Sequence, residues 1–156
     1  MDLAVPTAAA PGDVAALVVL ATVLVPVSIA DVRERRIPDV LVLPALAVAF
    51  LLRALGGASG AWPLAWAAIA GACLLLPAVI RPEGMGMGDV KLVALIGACL
   101  GALALPALCI ALVAGAVGGA AWAVVTGVPL RHATIPFGPY LAAGAVAIGL
   151  PVTFLH

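Results

Sequence analysis

Residues 92–130 read LVALIGACLGALALPALCIALVAGAVGGAAWAVVTGVPL, 39 consecutive positions without one charged side chain. As a single α-helix this stretch would reach about 58 Å at ~1.5 Å per residue. The hydrocarbon core of a bilayer is only ~30 Å thick. The stretch therefore predicts two helices joined by a turn. Gly101 to Pro106 is where the turn is expected, because glycine and proline both break helices.

Four more apolar segments flank it. Val14–Ala30, Val40–Leu55, Trp62–Ile80 and Ile135–Leu155 each approach the ~17–25 residues that a spanning helix needs. The expected fold is an all-α membrane protein: a bundle of six transmembrane helices forming one domain over residues 1–156. Composition agrees. Charged residues make up 9% of the chain, against roughly 25% in a soluble domain, so lipid must be the solvent. A net charge of zero suggests no nucleic-acid partner. Residues 1–13 contain Asp2 and Asp13 but no Lys or Arg, unlike the basic start of a secretory signal. Cys73, Cys99 and Cys109 lie in apolar stretches without a CxxC and read as small packing residues. Gly115, Gly118 and Gly119 suit close helix packing. Pro26, Pro44 and Pro77 fall within spans, where neighbouring helices can satisfy the freed carbonyls.

Orientation follows from the basic residues. With six spans, the first, third and fifth loops share a side. Arg33, Arg35, Arg36, Arg81, Lys91 and Arg131 fall there, and Arg53 alone falls opposite. The positive-inside rule makes the first face cytoplasmic and puts both termini outside.

Three unusual polar segments occupy those same three loops. They are Asp31-Val-Arg-Glu-Arg-Arg-Ile-Pro-Asp39, Gly84-Met-Gly-Met-Gly-Asp-Val-Lys91 and Ile135-Pro-Phe-Gly-Pro-Tyr140. Asp31 ends the first span and Asp89 opens the fourth. A carboxylate at a membrane boundary is costly unless paired or wetted, which makes each a functional candidate. Either could instead be an interfacial charge that stops a helix. The alternating glycines before Asp89 would let the backbone approach a ligand, or could serve as a flexible connection.

Two facing carboxylates suit water activation. One takes a proton from water, while the other donates to the carbonyl oxygen or leaving nitrogen. The chemistry expected is amide hydrolysis without a covalent intermediate. His132 and His156 are the only histidines; His156 is terminal and on the opposite face, and His132 reads as interfacial.

The three motifs together resemble the type IV prepilin peptidases, including their short single-domain forms. The resemblance covers essentially the whole chain. It rests on Asp31 with Ile37-Pro38, on Gly86-Met87-Gly88-Asp89-Val90-Lys91, and on Pro136-Phe137-Gly138-Pro139. It implies a membrane aspartyl endopeptidase with Asp31 and Asp89 as the catalytic pair. Gly86, Gly88, Lys91, Ile37, Pro38, Asp39, Pro136, Phe137, Gly138 and Pro139 would shape the site or bind substrate. The implied substrate is a prepilin or pilin-like protein, whose short basic leader is removed at the cytoplasmic face of the inner membrane. No metal or organic cofactor is implied.

The family usually reads Ile-Pro-Asn where this chain has Ile37-Pro38-Asp39. Asp39 is thus a third carboxylate near the site, and either caps the second helix or takes part in the chemistry. Lys91 either positions Asp89 or the substrate carbonyl, or anchors a helix end by snorkelling. Bifunctional relatives carry a further cytoplasmic region with paired cysteines that methylates the new N-terminus; this chain resembles the peptidase module alone. Presenilin relatives share a GxGD centre but have Pro-Ala-Leu where this chain has Pro136-Phe137-Gly138-Pro139. Other classes are a small transporter or proton pathway using intramembrane carboxylates, and a non-catalytic pilus-assembly scaffold.

Overall fold

The computed structural model describes residues 11–55, 61–80, 86–127 and 136–154, and all their regular structure is helical. The elements are α1 (Pro11–Glu34), α2 (Asp39–Leu55), α3 (Ala61–Ile80), α4 (Met87–Leu100), α5 (Ala104–Thr126) and α6 (Gly138–Phe154). Arg81, Arg131, His132, Gly84 and both chain termini, all used in the sequence reading, lie outside the described residues.

The charge-free stretch divides as expected, but unequally. A 3-10 turn at Gly101–Leu103 separates a 14-residue α4 from a 23-residue α5. Gly101 takes φ +60°, a region open to glycine at little cost, and this ends α4. Pro106 is not part of the turn. It sits in the first turn of α5, where a missing N–H costs nothing. At ~1.5 Å per residue α4 is about 21 Å long. It is short because it is the interior helix: every residue from Leu92 to Leu100 except Ala94 is buried. It packs against α1, α2, α3, α5 and α6.

Close approach replaces bulk in this core. Gly97 of α4 lies on α3, where an added Cβ would stand 2.6 Å from the Trp66 carbonyl and 2.9 Å from Ala70 Cβ. Gly144 of α6 lies in the same way on the Ala107 carbonyl of α5. Small residues at such crossings let backbones meet, which is how helices gain contact where the solvent is itself apolar. The outward faces also carry large apolar side chains: Val18, Val25, Leu76, Val113, Val117 and Val125 are all exposed. A water-soluble protein rarely shows apolar surface on that scale. Val14–Glu34 and Met87–Thr126 are long and apolar enough to cross a membrane, and Leu64–Ile80 and Gly138–Pro151 are shorter apolar helices.

Helix α1 runs further than the apolar pattern suggests. It continues through Asp31 to Glu34, so Asp31 is inside the helix rather than at its end. Arg35 then turns left-handed at φ 52°, and its N–H donates to the Asp31 carbonyl at 2.9 Å. This is an αL stop that uses an arginine in place of the more usual glycine. Pro26 and Pro44 are accommodated within continuous helices.

Candidate active site

Asp31 is the one buried charged residue in the described core, at 6% exposure. A buried carboxylate needs partners. One is supplied by α6, whose first residue, Gly138, donates its N–H to Asp31 Oδ2 at 2.7 Å. The Pro136-Phe137-Gly138-Pro139 segment folds to make this possible. The Phe137 carbonyl accepts from Tyr140 and Leu141 N–H, both at 3.1 Å, which starts the helix at Gly138. Pro139 follows in the first turn, where no N–H is required. Gly138 is required sterically: an added Cβ would come 2.9 Å from Asp31 Oδ2 and 3.1 Å from Asp31 Cβ. The positive end of α6 therefore abuts the Asp31 carboxylate.

Asp89 is also at a helix start. Gly86 is the N-cap of α4 and Asp89 its third residue. The Gly86 N–H donates to Asp89 Oδ2 at 3.2 Å, and the Asp89 N–H donates to the Gly86 carbonyl at 3.1 Å. This is the half of a capping box that a glycine N-cap permits. Gly86 has φ −78° and Gly88 no positive φ, so the conformational freedom expected of these glycines is not what they supply. Gly88 supplies space. An added Cβ would stand 2.7 Å from Ile37 Cβ, so the Ile37-Pro38 segment packs directly on the Gly-Met-Gly-Asp turn.

Asp39 and Lys91 find each other. Lys91 Nζ donates to Asp39 Oδ2 at 2.6 Å, with both side chains partly exposed. Asp39 is the first residue of α2, and the carbonyl of the preceding Pro38 accepts from Leu41 and Val42. Pro38 thus stands at the cap position considered for Asp39.

The Asp31 and Asp89 carboxylates come within range of direct Coulomb repulsion. Two chain segments 58 positions apart in sequence have been brought to one end of the bundle, Asp31 in the last turn of α1 against the start of α6 and Asp89 in the first turn of α4. The supporting residues of all three motifs gather around them. The sequence reading gave Phe137 a site-shaping role and Gly115 and Gly118 a packing role, but did not bring them together. The Phe137 ring lies against Gly115, where an added Cβ would be 2.8 Å from Cε2, and the Tyr140 ring and hydroxyl lie against Gly118. Phe137 and Tyr140 also touch, with centroids 6.5 Å apart. The i, i+3 spacing of the two glycines matched that of the two aromatic residues, and this was the available signal.

These features define a class: a bundle of apolar helices with two carboxylates at one end, each held by the backbone N–H of a helix start. The match to protein families is specific. Residues 18–124 fit the Type IV leader peptidase family, and the chain belongs to that family. The matched region includes both Asp31 and Asp89. Proteins named prepilin leader peptidase/N-methyltransferase are similar to it. The one from Xanthomonas campestris pv. campestris is 36% identical over 80% of this chain and 46% of its own length. That from Aeromonas hydrophila is 36% identical over 95% of this chain and 54% of its own. That from Escherichia coli K12 is 34% identical over 76% of this chain and 55% of its own. The chain thus spans about half the length of the curated relatives it matches. No solved structure matches significantly. With its family and its apolar helices together, the chain is a membrane protein.

Proposed function

We propose that this chain is a membrane aspartyl endopeptidase that removes the short basic leader from prepilins or pilin-like proteins. The observation that carries the reading is the gathering of the segments bearing Asp31, Asp89 and Gly138 at one end of the bundle, through the Gly138–Asp31 hydrogen bond and the Gly88–Ile37 contact. Its family and the names of its relatives supply the substrate class.

The mechanism follows from the pair. With substrate bound and one proton shared, the ionised carboxylate takes a proton from water and the hydroxide equivalent attacks the scissile carbonyl. The protonated partner donates to the carbonyl oxygen; on collapse it takes that proton back, while the first carboxyl passes the proton it took from water to the leaving nitrogen, which restores the singly protonated pair. No covalent intermediate forms. The Gly138 N–H fixes one oxygen of Asp31 and the Gly86 N–H one oxygen of Asp89, so each carboxylate is oriented before substrate arrives. Ile37, Pro38, Gly88 and Asp39 brace the start of α4, and Pro136, Phe137, Gly138 and Pro139 build the start of α6. No metal or organic cofactor enters the scheme.

The bundle crosses the inner membrane six times. Both termini lie outside and the active site faces the cytoplasm. The sequence distribution of basic residues supports this orientation. Trp62 and Trp122 are exposed near opposite ends of the bundle, as in interfacial aromatic belts.

The test is leader cleavage of a co-expressed prepilin, read by mobility or mass, with enzyme abundance in the membrane measured alongside. Asp31→Asn and Asp89→Asn each abolish processing, because the amide keeps the shape and loses the proton chemistry. Full processing by either variant overturns the pair. A dead Asp39→Asn together with an active Asp31→Asn moves the first role to Asp39.

A further inference from the structure

The start of α4 touches the start of α2 at two points. Gly88 rests on Ile37, and Lys91 pairs with Asp39 at 2.6 Å. Gly88 and Lys91 are three residues apart, so they share one face of α4. Asp89 follows Gly88 by one residue and is therefore turned by about 100° from that face at 3.6 residues per turn. A helix held at one point can still rotate about its axis. Held at two points one turn apart, it cannot.

This first turn needs such support. Gly88 lies within it, behind the glycine N-cap Gly86, and a glycine within a helix is less favourable than alanine. The half capping box contributes a single hydrogen bond of 3.2 Å to Asp89 itself. A frayed turn would carry Asp89 away from Asp31.

We propose that the Lys91–Asp39 ion pair is a positioning clamp which, with the Gly88–Ile37 contact, fixes the rotation of α4 so that Asp89 is presented to Asp31. Lys91 is a positioning residue and acts through Asp89, without contacting substrate. The pair also neutralises Asp39, the third carboxylate at this end of the bundle. The clamp deepens the peptidase reading above and rests on it. An exposed ion pair adds little to global stability, so its effect belongs in the chemical step and in local order.

The experiment uses the full chain in detergent, a peptide spanning a prepilin leader junction, and hydrogen exchange of residues 86–91 read by mass spectrometry. Lys91→Met lowers kcat by roughly five- to tenfold, short of the ~100-fold that a misplacement of 1 Å can cost, and leaves KM within about twofold. It also speeds exchange across residues 86–91. Lys91→Arg, which keeps the cation, recovers most of both. Asp39→Asn keeps an acceptor for Lys91 and loses less than Lys91→Met. The double variant falls no further than Lys91→Met alone, since the pair is already broken.

Unchanged exchange in Lys91→Met overturns the clamp. So does a rise in KM at constant kcat, which would put Lys91 on the substrate, and so does a double variant whose losses add. If the unaltered chain cleaves neither peptide nor prepilin while Lys91→Met still speeds exchange, the peptidase reading falls and the brace on α4 stands as a structural feature.

Discussion

The Gly138 N–H and the Asp31 carboxylate meet at 2.7 Å across 107 residues of sequence, with no room between them for a side chain. Gly138→Ala would place a methyl group 2.9 Å from Asp31 Oδ2. Either α6 withdraws and breaks the hydrogen bond, or Asp31 leaves its rotamer. Both misplace the carboxylate, and overpacking of this kind costs about 1–3 kcal/mol. Leader cleavage by Gly138→Ala should fall at least about tenfold. The chain should still accumulate in the membrane, because the contact is local. Cleavage at the original rate would show that the hydrogen bond does not matter to the reaction.

The aromatic pair behind Gly138 makes a second, separable case. Phe137 seats its ring on Gly115, one residue before the N–H that reaches Asp31. Gly115→Ala should displace the ring and with it the start of α6, lowering kcat and detergent-phase Tm together. Phe137→Leu in that background removes the clashing ring edge and should restore part of both. If Gly115→Ala leaves cleavage and Tm unchanged, the seat is looser than the 2.8 Å approach implies.

Much of this was legible in the chain. The uncharged run after Lys91 required two helices because its length is about twice a bilayer core, and the break fell at Gly101. Shared loop parity suggested that the three polar segments meet, and the Gly138–Asp31 and Gly88–Ile37 contacts bring them to one end of the bundle. Side-chain contacts were less accessible. The glycines before Asp89 suggested backbone freedom, yet Gly88 is there because Ile37 leaves no room for a Cβ. Asp39 looked like a helix cap or a spare acid, and its partner Lys91 lies 52 residues on. No local rule of spacing links those positions; only the packing of α2 against α4 does. The extension of α1 past Asp31 was hidden because Arg35, a residue that seldom adopts positive φ, performs the stop.

Topology can be tested at described positions. Single cysteines replacing Glu34 and Met87, in a variant with Cys73, Cys99 and Cys109 removed, should resist an impermeant thiol reagent in intact inner-membrane preparations with the outer face exposed. They should react once the membrane is opened. A cysteine at Leu55, exposed at the far end of α2, should label without opening. Glu34 and Met87 labelling from opposite sides would separate Asp31 from Asp89 and end the paired-carboxylate scheme.

The pH dependence follows from the pair. Asp31 and Asp89 repel one another when both are ionised, and like charges sharing a site resist joint ionisation. The two protons therefore leave in separate steps that belong to the pair and not to either residue. Below the first step both carboxyls are protonated, and no base is available to water. Above the second both are ionised, and no acid is available to the carbonyl oxygen or leaving nitrogen. Activity is confined to the interval between, so kcat/KM in detergent with a leader-containing peptide should rise and then fall with pH. The falling limb reports loss of the shared proton. Activity that climbs without a fall through about pH 9, roughly two units above neutrality, with enzyme and peptide shown to be intact, would remove the shared proton from the mechanism.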